Sequence, residues 1–341
     1  MATIADVARR ARVSIATVSR VLSPGPVPHP VHPETAARVR AAAAALDYIP
    51  SALARGLASR RSGLLGFLVP SLADPHYPQI ARGAEDGARL AGLSLLVCNT
   101  LGDPDRAAAY LRLLRSRHVD ALIVSGGSTL TSVTLAAITD SHLPAVLIGR
   151  PASDQAMAYV CVDNRAAARQ ATLHLLATGR TRVVHLAGPR AQTTMADRAV
   201  GYSQTLAERG LSAALVETDG SADGALAATR ALLEKPARVR PDAIFAAADR
   251  MAVAAMAAAS DAGVAVPRDL AVMGFDDLAL DAYLRPSLSS VAQPARELGE
   301  AAIRLALRLV AGESVRPIVL QARPVLRQST AGTASLRAGT G

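Results

Sequence analysis

The sequence predicts an α/β protein with an N-terminal three-helix helix-turn-helix head. Behind it lies a two-lobed body of two doubly wound parallel sheets. Three observations lead there. Residues 1–48 show helical periodicity with capping signals. From Gly63 on, short apolar runs alternate with helical stretches. After Asp163 that alternation restarts, as a second unit of the same kind would.

In the head, Thr3 is placed to cap a first helix, with Asp6 three residues on reaching back. Ile4, Val7, Ala8 and Ala11 form one apolar stripe. Ser14 reads as the cap of a second helix, with Val18, Val21 and Leu22 facing inward and Val13 filling the turn. Its other face carries Ile15, Ala16, Thr17, Ser19 and Arg20, near the end where a major-groove helix carries its base-contacting side chains. Pro33 is a favoured first helical position, and Val39, Ala43 and Leu46 make the stripe of a third helix.

Charge supports a nucleic-acid partner. The formal net charge is +9. Residues 1–62 hold nine arginines against three acids (Asp6, Glu34, Asp47), whereas the rest of the chain holds 28 basic and 25 acidic side chains. A segregated basic patch suits a phosphate backbone. No apolar run reaches the ~20 residues of a membrane span. Met1 to Leu22 has no apolar signal-peptide core, so a cytoplasmic address is expected. Cys98 and Cys161 sit singly in apolar runs and read as reduced core thiols.

In the body, the runs Leu64–Val69, Leu93–Cys98, Ala121–Ser125, Ala145–Ile148 and Val160–Val162 suit buried parallel strands. Pro78–Ala91 and Ala107–Arg117 read as helices between them. The second series is Val183–Leu186, Ala213–Val216, Ala243–Ala246 and Leu270–Gly274. Ser289–Gln293 is expected to return the chain to the first unit, where Pro294–Val310 is helical. The expected divisions are a head at 1–48, a hinge helix or linker at 49–62, a first lobe from 63–162 and 293–322, and a second lobe from 163–292 and 323–341. Two such lobes leave a cleft for a small ligand.

The head resembles the lactose-repressor (LacI/GalR) family of bacterial transcription regulators. The matching residues are Ile4-Ala5-Asp6-Val7-Ala8, Val13-Ser14, Thr17-Val18-Ser19-Arg20-Val21-Leu22 and Tyr48-Ile49-Pro50-Ser51-Ala52-Leu53-Ala54-Arg55-Gly56-Leu57. The resemblance continues in weaker form to about Thr330. It implies a periplasmic-binding-protein-like body and a ligand-responsive repressor that binds a pseudo-palindromic operator as a homodimer. It also implies a hinge helix whose Leu57 wedges into a base step through the minor groove. Thr3, Ser14, Ile15, Ala16, Thr17, Ser19 and Arg20 are the head's candidate DNA contacts, and Ser51, Ala54, Arg55 and Leu57 the hinge's. Residues 50–58 are too few for a stable isolated helix, so folding on DNA is expected. The chain departs from the family pattern at Arg12, where Gly or Asn is usual in the turn. The link Ser23 to Pro33, with five prolines, is longer than usual.

The effector is expected to be a sugar or sugar derivative. Candidate contacts are His76 and Tyr77 after the first strand, Asp163 at the start of the second unit, and Gln192, Thr194 and Arg198 after the Gly188-Pro189 loop. Asp249, Phe275 and Asp276 follow later strands. By resemblance, Asp163, Arg198 and Asp276 match positions that grip effector hydroxyls. Carboxylates accept from hydroxyls, and arginine donates in a fork. Asp249 also reads as a cap of helix Arg250–Asp261, and Asp163 and Arg198 as structural ion-pair members. Ala248 stands where many relatives have Asn. No nucleotide-binding glycine motif and no metal-ligand spacing occurs, so no cofactor, metal or catalytic activity is expected. The rival readings are a solute-binding protein serving a transporter and a sugar-modifying enzyme on the same scaffold.

Overall fold

The computed structural model describes residues 2–22, 30–48, 61–126, 130–150 and 157–331. The head consists of α1 (Ile4–Ala11), α2 (Ile15–Leu22) and α3 (Pro33–Ala45). Thr3 and Asp6 form the expected capping box. Val7, Val18 and Val39, one from each helix, are fully buried at the centre of the bundle. Arg12 ends α1 in the left-handed region at φ 53°, its N–H turned back to the carbonyls of Ala8 and Arg9. The turn thus needs the geometry that glycine adopts without strain. The hinge residues Ser51, Ala54, Arg55 and Leu57 lie outside the described residues.

The first lobe alternates β1 (Leu64–Val69), α4 (His76–Leu90), β2 (Ser94–Asn99), α5 (Pro104–Ser116), β3 (Ala121–Ser125), α6 (Ser132–Asp140), β4 (Ala145–Ile148) and β5 (Ala158–Val162). The second continues with α7 (Asn164–Ala177), β6 (Val183–Ala187), α8 (Thr193–Ala207), β7 (Ala214–Glu217), α9 (Ala222–Leu233), β8 (Ala243–Ala246), α10 (Asp249–Asp261) and β9 (Ala271–Asp276). After a short 3-10 turn, Ala279–Tyr283, come β10 (Ser289–Ala292), α11 (Ala295–Val310), β11 (Ile318–Leu320) and β12 (Arg323–Val325). The sheet orders are β11-β5-β4-β3-β1-β2 and β12-β10-β9-β8-β6-β7. The pairings are parallel except β10 with β12. Strands β3, β6, β8 and β9 are buried along their whole length, which is why they read as continuous apolar runs.

The return crossing falls at the end of the expected segment, Ser289–Gln293. Ser289–Ala292 stays in the second sheet, paired with β9 and β12. The chain crosses at Gln293 and Pro294, and α11 then packs on α4 in the first lobe. Glycine permits this close approach: a Cβ at Gly83 would lie 1.9 Å from the Arg296 carbonyl oxygen. Strand β9 also runs on to Asp276, so Phe275 and Asp276 are strand residues.

The two sheets share one strand order, and the likeness reaches single side chains. Before β3, the Asp120 carboxylate accepts the N–H groups of Ser62 (2.7 Å) and Gly63 (3.0 Å) and the Ser62 hydroxyl (3.2 Å). Before β8, Asp242 likewise accepts the N–H groups of Thr181 (3.1 Å) and Arg182 (2.9 Å) and the Thr181 hydroxyl (3.3 Å). Each lobe therefore pins the start of its first strand with an aspartate that precedes its third.

Candidate functional site

The head presents the polar face that the sequence suggests. Ser14 Oγ accepts the Thr17 N–H at 3.1 Å, which starts α2 and aims its N-terminal turn outward. Ile15 is 51% exposed, and Ala16, Ser19 and Arg20 are exposed beside it, with Thr17 half-buried. Thr3 is exposed, but its hydroxyl already donates to Asp6 at 2.7 Å. That hydrogen bond comes first among the causes that hold the Asp6 carboxyl below the usual carboxylate range.

Loops at the carboxyl ends of both sheets face one another across a cleft of about 680 Å³, its open mouth included. This is where ligands bind in doubly wound sheets. The first lobe contributes Asp74, His76, Tyr77, Ser125 and Gly149, and the second Asn164, Gln192, Thr194, Arg198, Arg250 and Asp276. Gln293, on the return crossing, completes the wall.

Arg198 is the centre of the site. It projects from α8 and is buried at 5% exposure. Its Nε donates to Asn164 Oδ1 at 2.8 Å, and Nη1 donates to the Ala247 carbonyl. The guanidinium carbon lies 3.6 Å above the centre of the Phe275 ring, a cation–π platform in a desolvated place. Burial lowers its pKa to about 10 and Asp276 opposes that, so it stays charged at neutral pH. Asp276 Oδ1 accepts the Gln293 amide at 2.6 Å. Its φ of 130° is strained for a residue with a side chain, and strain of that kind gathers at ligand sites. His76 and Tyr77 meet edge to face across 5.7 Å as the aromatic wall, and burial pushes the Tyr77 phenol to about 12.

Three expected contacts lie elsewhere. Asp163 does not line the cleft: its carboxylate caps α7 by accepting the Ala166 N–H at 3.0 Å. Its neighbour Asn164 takes the wall position. Asp249 is fully buried and turned away, accepting the Ser290 hydroxyl at 2.6 Å and the Leu278 N–H at 3.0 Å. The helix cap position belongs to Ala248, so Asp249 is not a cap either. Burial raises the acid pKa of both Asp249 and Asp281, which share a hydrogen bond. Phe275 supports Arg198 from below and does not itself line the cleft.

Asp74, Asn164, Arg250 and Gln293 were not foreseen. Asn164 and Gln293 stand beside residues the pattern did mark, at a unit start and a crossing. Asp74 and Arg250 carry no local signal and become partners only in the fold, where Arg250 Nη1 donates to Asp74 Oδ2 at 2.7 Å. Cys98 and Cys161 are buried free thiols, as expected. Among the described residues no cluster of His, Cys, Asp or Glu could hold a metal ion. No described helix is long and apolar enough to cross a membrane.

A helix-turn-helix head on a two-lobed body with a polar cleft defines a class of DNA-binding proteins with a ligand-binding body. Comparison with known proteins narrows this. Residues 3–51 match the bacterial regulatory proteins, lacI family, and residues 172–330 match the periplasmic binding protein-like domain. The chain is 36% identical over 310 residues to the ribose operon repressor of Halalkalibacterium halodurans, covering 91% of each. It superposes on the lac repressor dimer bound to operator and the anti-inducer ONPF with a TM-score of 0.84 at 29% identity, covering 96% of this chain and 99% of that one. The transcriptional regulator CelR in complex with cellobiose gives 0.72 at 28% identity, covering 96% and 100%. The chain belongs to the lacI family of bacterial regulatory proteins and is a DNA-binding transcription regulator.

Proposed function

We propose that this regulator is a cytoplasmic repressor whose hold on its operator is set by a small neutral sugar in the inter-lobe cleft. Arg198 carries this reading: it is a buried, platform-held fork donor facing Asp276 between two lobes. A fork donor and a carboxylate acceptor together suit vicinal hydroxyls. A neutral ligand fits better than a sugar phosphate, because the wall's cations are already engaged. Arg250 is paired with Asp74, and Arg198 is held by Asn164 and Ala247 beside Asp276. The cellobiose carried by CelR and the ribose operon of the curated relative point to the same ligand class.

Residues 1–48 read the operator, with Ile15, Ala16 and Arg20 facing the bases and Ser14, Thr17, Ser19 and Thr3 near the backbone. Residues 49–62 are the hinge, with Ser51, Ala54, Arg55 and Leu57 at the minor groove. Segments 63–162 and 293–322 form one lobe of the effector domain, and 163–292 and 323–341 the other. His76, Tyr77, Gln192, Thr194, Arg198 and Asp276 contact the sugar, joined by Asn164 and Gln293. The active species is a homodimer on a pseudo-palindromic site, and the cleft binds without turnover.

The test begins with selection of a bound duplex from a random-sequence pool. Its affinity is then measured by fluorescence anisotropy with and without D-ribose, cellobiose and a panel of neutral and phosphorylated sugars. The expected result is one enriched palindromic family and a neutral sugar that shifts the dissociation constant about 5- to 150-fold. No enriched sequence, or a response to phosphorylated sugars alone, defeats the proposal.

A further inference from the structure

Among the described residues, two ion pairs cross from lobe to lobe beside the cleft. Asp74, after β1 in the first lobe, accepts from Arg250 of α10 in the second at 2.7 Å. Arg150, after β4 in the first lobe, donates to Asp197 of α8 in the second at 2.9 Å. Other long-range pairs, such as Arg169–Glu208, Arg230–Asp261 and Arg296–Asp86, each stay within one lobe.

In each crossing pair the second-lobe member is held in advance. The Arg250 Nε donates to the Gly220 carbonyl at 2.8 Å, which fixes its guanidinium toward Asp74. Asp197 receives Arg165 of its own lobe at 2.8 Å on one oxygen and offers the other to Arg150. The Thr193 hydroxyl adds a bond to the Arg150 carbonyl at 2.7 Å. Both acids are well shielded, at 20% and 14% side-chain exposure. A partner oriented beforehand loses less freedom when the contact forms.

We propose that these pairs are clasps that draw the lobes together before any effector arrives. Asp74, Arg250, Arg150 and Asp197 are then positioning residues: they set the unliganded balance between closed and open cleft, and with it the sugar concentration at which the protein responds. The proposal rests on the cleft being the effector site, but its test needs neither sugar nor operator.

The test is hydrogen exchange on the full-length, ligand-free protein, read at segments 74–80, 192–198 and 248–252, with β1 and β6 as the folding control. Breaking one clasp, as D74N, R250Q or R150Q, should raise exchange at the cleft segments by on the order of fivefold and leave the control strands protected. High salt should do the same to the wild type. The exchanged pair D74R/R250D should fall below either of its single changes, because only a true pairing is restored by reversal. Unchanged cleft exchange in all three single variants and in high salt overturns the proposal. So does an exchanged pair whose effect equals the sum of its parts. If a variant also loses control-strand protection, the wild-type salt response alone decides. The anisotropy titration with sugars tests the cleft assignment separately.

Discussion

Arg198 is a full charge removed from water, and everything it touches compensates for that. Asn164, the Ala247 carbonyl, the Phe275 face and Asp276 each supply part of the solvation lost. Lysine cannot make the same set of bonds, since a point charge lacks the planar fork. Arg198→Lys is expected to leave the secondary structure intact and weaken sugar binding at least tenfold, as measured by calorimetric titration. His185 shows the opposite solution, a titratable group kept neutral. Its ring lies between Tyr202 and Phe245, and Nδ1 must carry the proton because it faces the Phe245 carbonyl at 2.8 Å. Nε2 is buried without a donor. Burial lowers the pKa from 6.5 to about 4. The unfolded chain therefore binds more protons between those values, and stability is lost as pH falls from about 6.5 toward 4, by up to ~3 kcal/mol. His185→Phe should flatten that part of the melting-temperature profile; an unchanged acid slope would assign the sensitivity to other groups.

At the scale of elements, the head's start and turn were legible because capping is local. A threonine and an aspartate three apart need only one helical turn to meet. The apolar strands were legible for a related reason, since strands buried on both faces are apolar throughout. The cleft was less so. Asp163 and Asp249 stood at plausible strand ends, yet one turns back to cap its own helix and the other sits beneath β10, where the distant Ser290 decides where its carboxylate points. Where within Ser289–Gln293 the chain crosses was illegible for a similar reason: four strand residues carry no mark of which sheet will take them. Arg12 is a local exception with a measurable cost. Its left-handed backbone costs a side chain roughly 1 kcal/mol. Arg12→Gly is expected to stabilise the head by about 0.5–1 kcal/mol, seen as slower exchange in α1. Arg12 is exposed in the turn before α2, where its charge can reach a phosphate, so the change should also weaken binding to all duplexes about equally.

For the whole molecule, the division of charge predicts the division of labour. The excess of arginine lies in the first 62 residues, and the body is close to balanced. Operator affinity should therefore fall steeply with salt, whereas sugar affinity should change far less, by no more than the severalfold that loosening the two clasps allows. Paired titrations across ~50 to ~200 mM salt measure both. Within that electrostatic hold, Arg20 is expected to supply discrimination. Arg20→Ala is expected to cost ~1–3 kcal/mol on the selected duplex and to relax preference at one base pair, as measured by repeating the selection. Unchanged selectivity would remove Arg20 from the base-reading set.

The paired aspartates at the strand starts bear on how the protein can be taken apart. Asp120 holds Ser62 and Gly63 as Asp242 holds Thr181 and Arg182, so the start of the first strand is held from within its own lobe. A cut before Arg61 should therefore separate reader from receiver cleanly. The fragment from residue 61 onward is expected to melt as the body of the intact chain does and to bind the same sugar while ignoring DNA. Replacing Asp120 with alanine should make that severed body, more than the intact chain, sensitive to fraying at β1.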